Sequence, residues 1–430
     1  MFETISDIQH YLDEHKTSVF DLDAIRALMR VLGNPQHAFK AVHITGTNGK
    51  GSTGAYIINI LKSAGYKVGS FSSPAVFYRN EIIKIDDEPI TDTDYISLFN
   101  KVYIAVEAVI ASGSRQPTAF EIETAMAYLY FAESNVDIAV VEVGMGGELD
   151  STNVLENTMV EVITHISYDH MSVLGSTLAD IARVKAGIVK PHSTLITTTQ
   201  DDDVMRVLRA RANDTMSRMI VAGEGVKIGD TETEQVIAYK GREYLSALLG
   251  EYQTHNMPMA IECVRELKRR GMTLINDRAI SEGIERTRLH GRFEYIGGRP
   301  TFILDGAHND DASRKLHESI MHYYEDRRIV YIIGIFRDKD YKRIIDNTID
   351  LASEVITFDW DNVRHMSGVE LRDILEGRAD VVKYAGDAIG AVKMALEDTC
   401  EDDVIVAFGS LSHLREIYDA YHTCKGDNNG

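Results

Sequence analysis

The feature that most constrains this chain is a glycine-rich stretch, residues 41 to 54, with the sequence A-V-H-I-T-G-T-N-G-K-G-S-T-G. An apolar run, 41 to 44, precedes the glycines, and a helical pattern, 55 to 61, follows them. Strand, glycine turn and helix in this order form a phosphate cradle, because glycines let backbone N–H groups and the helix N-terminus face an anion. The stretch therefore predicts a phosphate-binding loop in which Lys50 reaches the terminal phosphates.

The common form of this motif, G-x-x-x-x-G-K-[ST], is not met. The residue five positions before Gly49 is Ile44, and Gly51 separates Lys50 from the hydroxyl group of Ser52. An ordinary glycine turn is the competing interpretation. A lysine and a hydroxyl residue directly after a strand favour the phosphate loop.

Length and charge narrow the class of protein. The 430 residues are too many for one compact core and predict two domains. The formal net charge of -21 argues against nucleic acid and anionic membranes, because such partners are held mainly by Lys and Arg. The three cysteines are scattered, the N-terminus does not resemble a leader, and no apolar run is long enough to span a bilayer. We therefore expect a cytoplasmic protein without a membrane partner.

Strand and helix patterns alternate along both halves of the chain. The alternation restarts at residue 301, after Gly297, Gly298 and Pro300, which mark a predicted boundary. The predicted fold class is α/β: a P-loop NTPase-like domain with a mostly parallel sheet over residues 1 to 295, and a smaller, doubly wound, Rossmann-like domain over residues 300 to 425.

Polar residues follow the predicted strands in both halves. In open parallel sheets, ligands bind beyond the carboxyl ends of the strands, so these residues are expected to face one another across a cleft between the domains. A carboxylate in this position near a nucleotide site commonly serves Mg²⁺. Taken singly, each has a structural alternative, such as a turn cap for Ser73, a buried ion pair for Glu142 and a core histidine for His170. The residues are Ser73, Glu142, His170, Asp305, His308 and Asn309.

A set of longer motifs resembles one known family, the folylpolyglutamate synthases and dihydrofolate synthases of the Mur ligase superfamily. The motifs occur in the family's order over nearly the whole chain, and together they are far more specific than the glycine loop alone. They are H-I-T-G-T-N-G-K-G-S (43 to 52), S-S-P (72 to 74), R-N-E-I-I-K-I-D-D-E-P-I (79 to 90), T-A-F-E (118 to 121), V-V-E-V-G-M-G-G-E-L-D-S-T-N-V (140 to 154), D-H (169 to 170), L-G-S-T-L-A-D-I-A-R-V-K-A-G-I-V-K (174 to 190), H-G-R-F-E (290 to 294), L-D-G-A-H-N (304 to 309), D-K-D (338 to 340) and G-S-L (409 to 411).

The resemblance implies ATP-dependent formation of an amide bond. The acceptor carboxylate takes the γ-phosphoryl group of ATP, and the amine of L-glutamate attacks the resulting acyl phosphate. The implied acceptor is a reduced folate or dihydropteroate, the implied cofactors are ATP and Mg²⁺, and a monomer is expected.

The resemblance also assigns roles by position. Lys50, Lys185 and His308 are the implied catalytic residues, with Lys185 carbamylated by CO₂. The implied magnesium ligands are Ser73, Glu142 and His170. ATP would be held by Thr47, Asn48, Gly49, Lys50, Gly51, Ser52, Asn256, Arg292 and Asp305.

The chain departs from the family pattern at several positions. Ala75 stands where many members have histidine, Glu148 where many have arginine, and Asp310 where proline is frequent; after G-S-L, Ser412 and His413 replace the usual Tyr-Leu. The first two departures lie on the acceptor side in the family and the last near its amino-acid pocket. Two alternatives therefore stay open: a ligase of the same superfamily with another carboxylic acid as acceptor, and an ATP-dependent switch that does not ligate.

Overall fold

The structure, a computed structural model, describes residues 1 to 17 and 19 to 426. These residues form two compact units. The first contains Met1–Val226, Ala238–Tyr244 and Thr254–Thr287, and the second contains Lys227–Ile237, Leu245–Gln253 and the chain from Arg288 onward. The assignment of residues 1 to 295 and 300 to 425 to an ATP-binding and a C-terminal ligase domain stays a prediction.

The first unit alternates strands and helices. Its helices up to residue 214 are α1 (Ile5–Glu14), α2 (Asp23–Val31), α3 (Lys50–Ser63), α4 (Asp92–Ala111), α5 (Ala119–Glu133), α6 (Met171–Leu174), α7 (Leu178–Ala186) and α8 (Asp202–Asp214), with 3₁₀ turns at Pro35–His37, Arg79–Ile82 and Ser151–Val154. Its strands are β1 (Lys40–Thr45), β2 (Val68–Phe71), β3 (Ile83–Ile85), β4 (Glu88–Pro89), β5 (Ile138–Glu142), β6 (Thr158–Ile163), β7 (Thr194–Thr198) and β8 (Arg218–Ala222).

These strands form one eight-stranded sheet in the order β4-β3-β2-β5-β1-β6-β7-β8. The six strands from β2 to β8 in this order pair in parallel, and β3 and β4 add an antiparallel edge. The phosphate-loop strand β1 lies between β5 and β6. The strand ends that carry Glu142 and Thr45 therefore meet at the same edge of the sheet.

Side-chain caps fix where several helices begin. Thr118 and Glu121 form a capping box at the start of α5, and Thr177 accepts a hydrogen bond from the Asp180 N–H at the start of α7. Each such cap contributes about 1 kcal/mol to stability. The α7 cap matters for the site because α7 carries Lys185.

Residues 226 to 246 form a separate three-stranded sheet in the order β11-β10-β9, from β9 (Val226–Asp230), β10 (Gln235–Tyr239) and β11 (Arg242–Ser246). Two helices follow, α9 (Gln253–Arg269) and α10 (Asp277–Arg286). Helix α10 crosses α3 closely at Gly283, where a Cβ atom would lie 2.4 Å from the Cα of Ile60. The phosphate-loop helix is thus held by the backbone of α10 as well as by the sheet.

The second unit also alternates strands and helices. Its strands are β12 (Glu294–Gly298), β13 (Thr301–Leu304), β14 (Ile329–Ile333), β15 (Ala352–Thr357), β16 (Val381–Tyr384) and β17 (Val404–Phe408), in the sheet order β12-β13-β17-β14-β15-β16. Its helices are α11 (Asp310–Tyr324), α12 (Tyr341–Asp346), α13 (Gly368–Leu375), α14 (Ala388–Asp398) and α15 (Leu414–Lys425), with 3₁₀ turns at Ile349–Leu351 and Leu411–His413.

The segment predicted as a domain boundary is a β-hairpin. β12 pairs antiparallel with β13, and the other strands of this sheet pair in parallel. Gly297, Gly298 and Pro300 therefore belong to the body of the second unit, whose residues begin again at Arg288. The glycines and the proline mark a turn between two paired strands and not a linker.

Within the described ranges, no helix combines the length and the apolar character needed to cross a bilayer.

Candidate active site

The phosphate loop joins the end of β1 to the start of α3, and its backbone requires glycine. Gly46 and Gly49 have positive φ angles of 152° and 88°. A Cβ atom at Gly46 would lie 1.8 Å from Thr164 Oγ1, and one at Gly49 would lie 2.3 Å from Asn256 Oδ1. A larger residue would collide with Thr164, which follows β6, or with Asn256 on α9. The predicted strand, loop and helix are all present.

The loop is tied to the segment that follows β6. The Thr47 N–H donates to the carbonyl oxygen of His165 at 2.8 Å, and Asn48 forms an isolated bridge with His165. The hydroxyl group of Thr47 donates to the carbonyl oxygen of Ser167 at 3.0 Å. Thr47 and Asn48, predicted to hold ATP, therefore also anchor the loop.

Lys50 begins α3 and turns back over the loop. Its Nζ atom donates to the carbonyl oxygens of Gly46 and Thr47, each at 3.3 Å, and lies 3.8 Å from Glu142 Oε1. Lys50 and Glu142 keep only 19% and 14% of their side-chain surface exposed. The structure thus brings together the lysine and the carboxylate that the sequence singled out separately.

Lys185 reaches the same loop from α7. Its Nζ atom donates to the carbonyl oxygen of Gly46 at 2.8 Å, and the residue is buried. Burial, and then the nearby charge of Lys50, lowers the pKa of Lys185 to about 7, although Asp169 and Asp150 raise it. A large fraction of Lys185 is therefore a neutral amine near neutral pH.

The other two predicted magnesium ligands lie in loops. Ser73 precedes Pro74 after β2, and His170 adopts a left-handed conformation (φ 49°) at the start of α6, with its Nε2 atom 3.8 Å from Asp169 Oδ2. Within residues 1 to 17 and 19 to 426, no three His, Cys, Asp or Glu side chains are grouped so that they could hold a metal ion. A site at this loop would need hydroxyl, water or phosphate oxygens besides Glu142.

In the second unit, three predicted residues gather around Gly306. Asp305 is buried and accepts hydrogen bonds from the N–H groups of Phe293 and Ala307, each at 2.8 Å. Burial raises the pKa of Asp305, and Arg292 opposes this rise. His308 Nδ1 donates to the Gly306 carbonyl at 2.7 Å, and a Cβ atom at Gly306 would lie 2.7 Å from Arg292 Nη1.

The departures from the family pattern have structural consequences. Asp310 accepts hydrogen bonds from Arg343 at 3.0 Å and from Asn347 at 2.9 Å, so it joins α11 to α12. His413 is buried, and its Nε2 atom donates to the carbonyl oxygen of Gly334 at 3.0 Å. Burial lowers the pKa of His413 to about 4, so this histidine is neutral.

A cavity of about 430 Å³ opens beside the loop that follows β5. Its polar lining residues are Asp21, Asp23, Arg26, Glu148, Asn153 and Lys190. Lys190 Nζ donates to Asn153 Oδ1 at 2.8 Å, and burial lowers the pKa of Lys190 to about 8. Its volume falls in the range of small-molecule sites. The sequence had not singled out Arg26, Asn153 or Lys190 as site residues. Asn153 and Lys190 lie within motifs that resemble the family, whereas Arg26 lies outside them.

The chain is similar to known proteins in sequence and in structure. Residues 44 to 264 match the Mur ligase middle domain, and residues 291 to 411 match the Mur ligase glutamate ligase domain. The chain belongs to the Mur ligase family. This Mur ligase is 32% identical over 405 residues to a Bacillus subtilis protein named dihydrofolate synthase/folylpolyglutamate synthase, covering 92% of this chain and 94% of that protein.

One further relative and one crystal structure agree with this family assignment. This Mur ligase is 33% identical over 362 residues to folylpolyglutamate synthase of Lacticaseibacillus casei, covering 82% and 84% of the two chains. It also resembles the crystal structure of Mycobacterium tuberculosis folylpolyglutamate synthase complexed with ADP and AMPPCP, at 29% identity, a TM-score of 0.89 and 98% coverage of both chains. The predicted family, fold class and ligase class are confirmed, whereas the individual site residues stay predictions.

Proposed function

We propose that this Mur ligase adds L-glutamate to the γ-carboxylate of a folate in an ATP-dependent reaction. The observation that carries the proposal is the convergence of Lys50, Lys185 and Glu142 on one phosphate loop. The glutamate ligase domain match and the names of the relatives supply the amino acid and the acceptor class.

The chemistry has to bring two anions together. The acceptor carboxylate attacks the γ-phosphorus of ATP, ADP leaves, and an acyl phosphate forms. The amine of glutamate then attacks the acyl carbon, loses a proton, and displaces inorganic phosphate that keeps one oxygen of the acceptor carboxylate. Charge repulsion between carboxylate and phosphate is the barrier that the protein must lower.

Each residue at the loop has a proposed part in lowering it. Lys50, released from its carbonyl contacts, pairs with the terminal phosphates, while the α3 N-terminus and the glycine N–H groups hold the others. Glu142, with Ser73 and His170, would hold Mg²⁺, which offsets phosphate charge when bound. Glu142 fits this assignment because its carboxylate offers hard oxygens beside the loop.

Lys185 is proposed to act as a carbamate. Burial and the charge of Lys50 disfavour an ammonium group at Lys185, although it donates a hydrogen bond to the Gly46 carbonyl oxygen. Reaction of the neutral amine with CO₂ releases a proton and replaces the amine by a carboxylate-like group. That group suits the neighbourhood of Lys50 and of a divalent cation better than an ammonium does.

The acceptor is proposed to enter the 430 Å³ cavity. Asn153 and Gly187, two of its lining residues, lie close in sequence to Asp150 and Lys185. Glu148 also lines the cavity, where many relatives in the family have arginine, so this chain presents an acceptor of hydrogen bonds instead of a donor. Ring N–H groups of a pterin suit such a wall.

In the second unit, Asn309 and His308 follow β13 at the carboxyl end of a parallel strand. We propose that Arg292 and Asp305 hold ATP there and that His308 serves catalysis, supported by their grouping around Gly306. We further propose a cytoplasmic monomer that acts on small molecules, since the charge of -21 disfavours nucleic acid and the three cysteines are unpaired.

The test is a ligation assay. Purified protein is incubated with ATP, Mg²⁺, L-glutamate and either tetrahydrofolate or dihydropteroate, and the products are resolved by mass. We expect an acceptor enlarged by one or more glutamyl residues, with one ADP per bond. ATP hydrolysis without any enlarged acceptor would favour a switch, and ligation only with another carboxylic acid would favour the other ligase interpretation.

A further inference from the structure

A buried hydrogen-bond chain runs from the phosphate-loop strand to the loop after β5. His43 on β1 is fully buried, and its Nε2 atom lies 2.9 Å from the hydroxyl oxygen of Thr152. The same hydroxyl group donates to Asp150 Oδ1. None of these three residues has a role in the proposed reaction.

The direction of the chain follows from its atoms. Thr152 has one hydroxyl proton, which it gives to Asp150, so His43 must donate its Nε2–H to the lone pair of Thr152. His43 Nδ1 then needs no proton, and it is a buried atom without a hydrogen-bond partner in the described part of the chain. An unpaired lone pair is tolerated there better than an unpaired N–H group would be.

Asp150 fixes the loop that it ends. Its carboxylate accepts hydrogen bonds from the N–H groups of Met145 at 2.9 Å and Thr152 at 3.0 Å. Thr45, two residues after His43 on β1, donates its hydroxyl group to the carbonyl oxygen of Gly146 at 2.7 Å. Side chains thus join the segment from residue 143 to residue 150 to β1 at two points, and the Val143 N–H adds a backbone hydrogen bond to the carbonyl oxygen of Ile44 at 2.9 Å.

The segment 143 to 150 lies between Glu142 and Lys185, the two residues that it would hold at the phosphate loop. Glu142 directly precedes it. On its other side, the Glu148 N–H donates to the carbonyl oxygen of Val184 at 2.9 Å, and a Cβ atom at Gly147 would lie 2.8 Å from the carbonyl oxygen of Lys185. A shift of the segment therefore moves both Glu142 and the backbone of Lys185.

We propose that His43 and Thr152 are positioning residues, which hold Asp150 and the segment 143 to 150 so that Glu142 and Lys185 stay in place at the phosphate loop. The inference rests on the proposed function, in which Glu142 serves Mg²⁺. Neither residue touches substrate in this account; each acts through Asp150.

The experiment compares three variants of the full chain. Thr152→Val keeps the shape and removes the hydroxyl group, and Thr152→Ser keeps the hydroxyl group. Thr348→Val is the matched control, because it removes the same hydroxyl group from another buried threonine, which belongs to the second unit and donates to the carbonyl oxygen of Ile344 at 2.9 Å. The readouts are the Mg²⁺ concentration for half-maximal binding of a fluorescent ATP analogue, kcat, and the melting temperature.

We expect Thr152→Val to raise the half-saturating Mg²⁺ concentration about tenfold and to lower kcat by a similar factor, because it removes both buried hydrogen bonds of the hydroxyl group, to His43 and to Asp150. Thr152→Ser should restore both values. Thr348→Val should lower the melting temperature while both values stay at the parent level. Equal shifts in Thr152→Val and Thr348→Val, or no Mg²⁺ shift in Thr152→Val, would overturn the proposal.

Two further variants keep the outcome decisive. If Thr152→Val does not fold, His43→Leu removes the donor at the other end of the chain and should give the same Mg²⁺ shift, with no shift overturning the proposal. Glu142→Gln separates this inference from the proposed function. If Glu142→Gln changes the Mg²⁺ dependence and Thr152→Val does not, the positioning role fails alone; if Glu142→Gln has no effect, the metal assignment itself fails.

Discussion

Lys50 and Lys185 share one acceptor: both donate a hydrogen bond to the carbonyl oxygen of Gly46, at 3.3 and 2.8 Å. Two amines from different helices meet at the glycine that begins the phosphate loop. Their mutual repulsion and the burial of Lys185 disfavour two positive charges here, and loss of one charge or binding of a further anion would reduce this cost. This arrangement suits a loop that receives phosphate next to Lys50 and a chemically modified Lys185.

Replacement of Lys50 by alanine should abolish ligation. The terminal phosphates lose their positive partner, so we expect kcat to fall on the order of a hundredfold or more. Lys62→Ala, in the last turn of the same helix, should leave kcat unchanged. Steady-state kinetics of the two folded variants check this, and near-parent turnover in Lys50→Ala would refute the phosphate-loop assignment.

Replacement of Glu142 by glutamine should weaken the Mg²⁺ dependence without unfolding the protein. The neutral isostere keeps the shape of the side chain and loses the charge that a hard cation requires. Activity is measured as Mg²⁺ is titrated, with Glu133→Gln, an exposed partner of Lys101, as control. An unmoved titration curve would make Glu142 a structural carboxylate.

The pH dependence of Lys185 carbamylation has a definite sign. Only the neutral amine reacts with CO₂, and a pKa of about 7 means that this form increases as the pH rises through about 7. With dissolved ¹³CO₂ held constant, the carbamate resonance should be stronger at about pH 8 than at about pH 6. The same resonance in Lys185→Ala would show that another amine is modified.

The carbamate also predicts a chemical rescue. Lys185→Ala should be nearly inactive, because the carboxylate-like group near the loop is lost, and added acetate should restore part of kcat. Lys50→Ala should not respond to acetate, since it lacks a cation. Full activity of Lys185→Ala without any additive would eliminate the carbamate role.

Glu148→Gln should act on the acceptor and not on ATP. Glutamine keeps the size of the side chain but gives up charge-assisted hydrogen bonds in the cavity, so we expect KM for the folate to rise about tenfold. KM for ATP should not change. Glu156→Gln, which alters an exposed partner of His37, is the control; identical folate KM values in both variants would remove the acceptor from this cavity.

The sequence predicted the parallel parts of both sheets well, because strand and helix periods alternate cleanly there. The alternation predicted to restart at residue 301 does so with β13, which begins at Thr301. The hairpin of β12 and β13 was missed because Gly297, Gly298 and Pro300 indicate a turn or a linker equally well. Only the pairing of β12 with β13 shows that the segment is a turn and not a linker.

The candidate site, too, could be predicted from the sequence only in part. The phosphate loop followed from local residue types, namely glycines after a strand, and the role of Lys185 followed from the family resemblance. The chain from His43 to Thr152 did not, because the two residues are separated by 109 positions and neither is unusual in its own segment. The sequence also could not show that the Thr47 hydroxyl group donates a hydrogen bond to the carbonyl oxygen of Ser167.

Transfer of an oxygen isotope from the acceptor to phosphate tests whether the protein activates a folate carboxylate as an acyl phosphate. A tetrahydrofolate labelled with ¹⁸O in its γ-carboxylate is incubated with the protein, ATP, Mg²⁺ and L-glutamate, and the released inorganic phosphate is analysed by mass spectrometry. The account predicts one ¹⁸O atom in the phosphate for each glutamyl bond formed. Glutamylated product accompanied by unlabelled phosphate would contradict it.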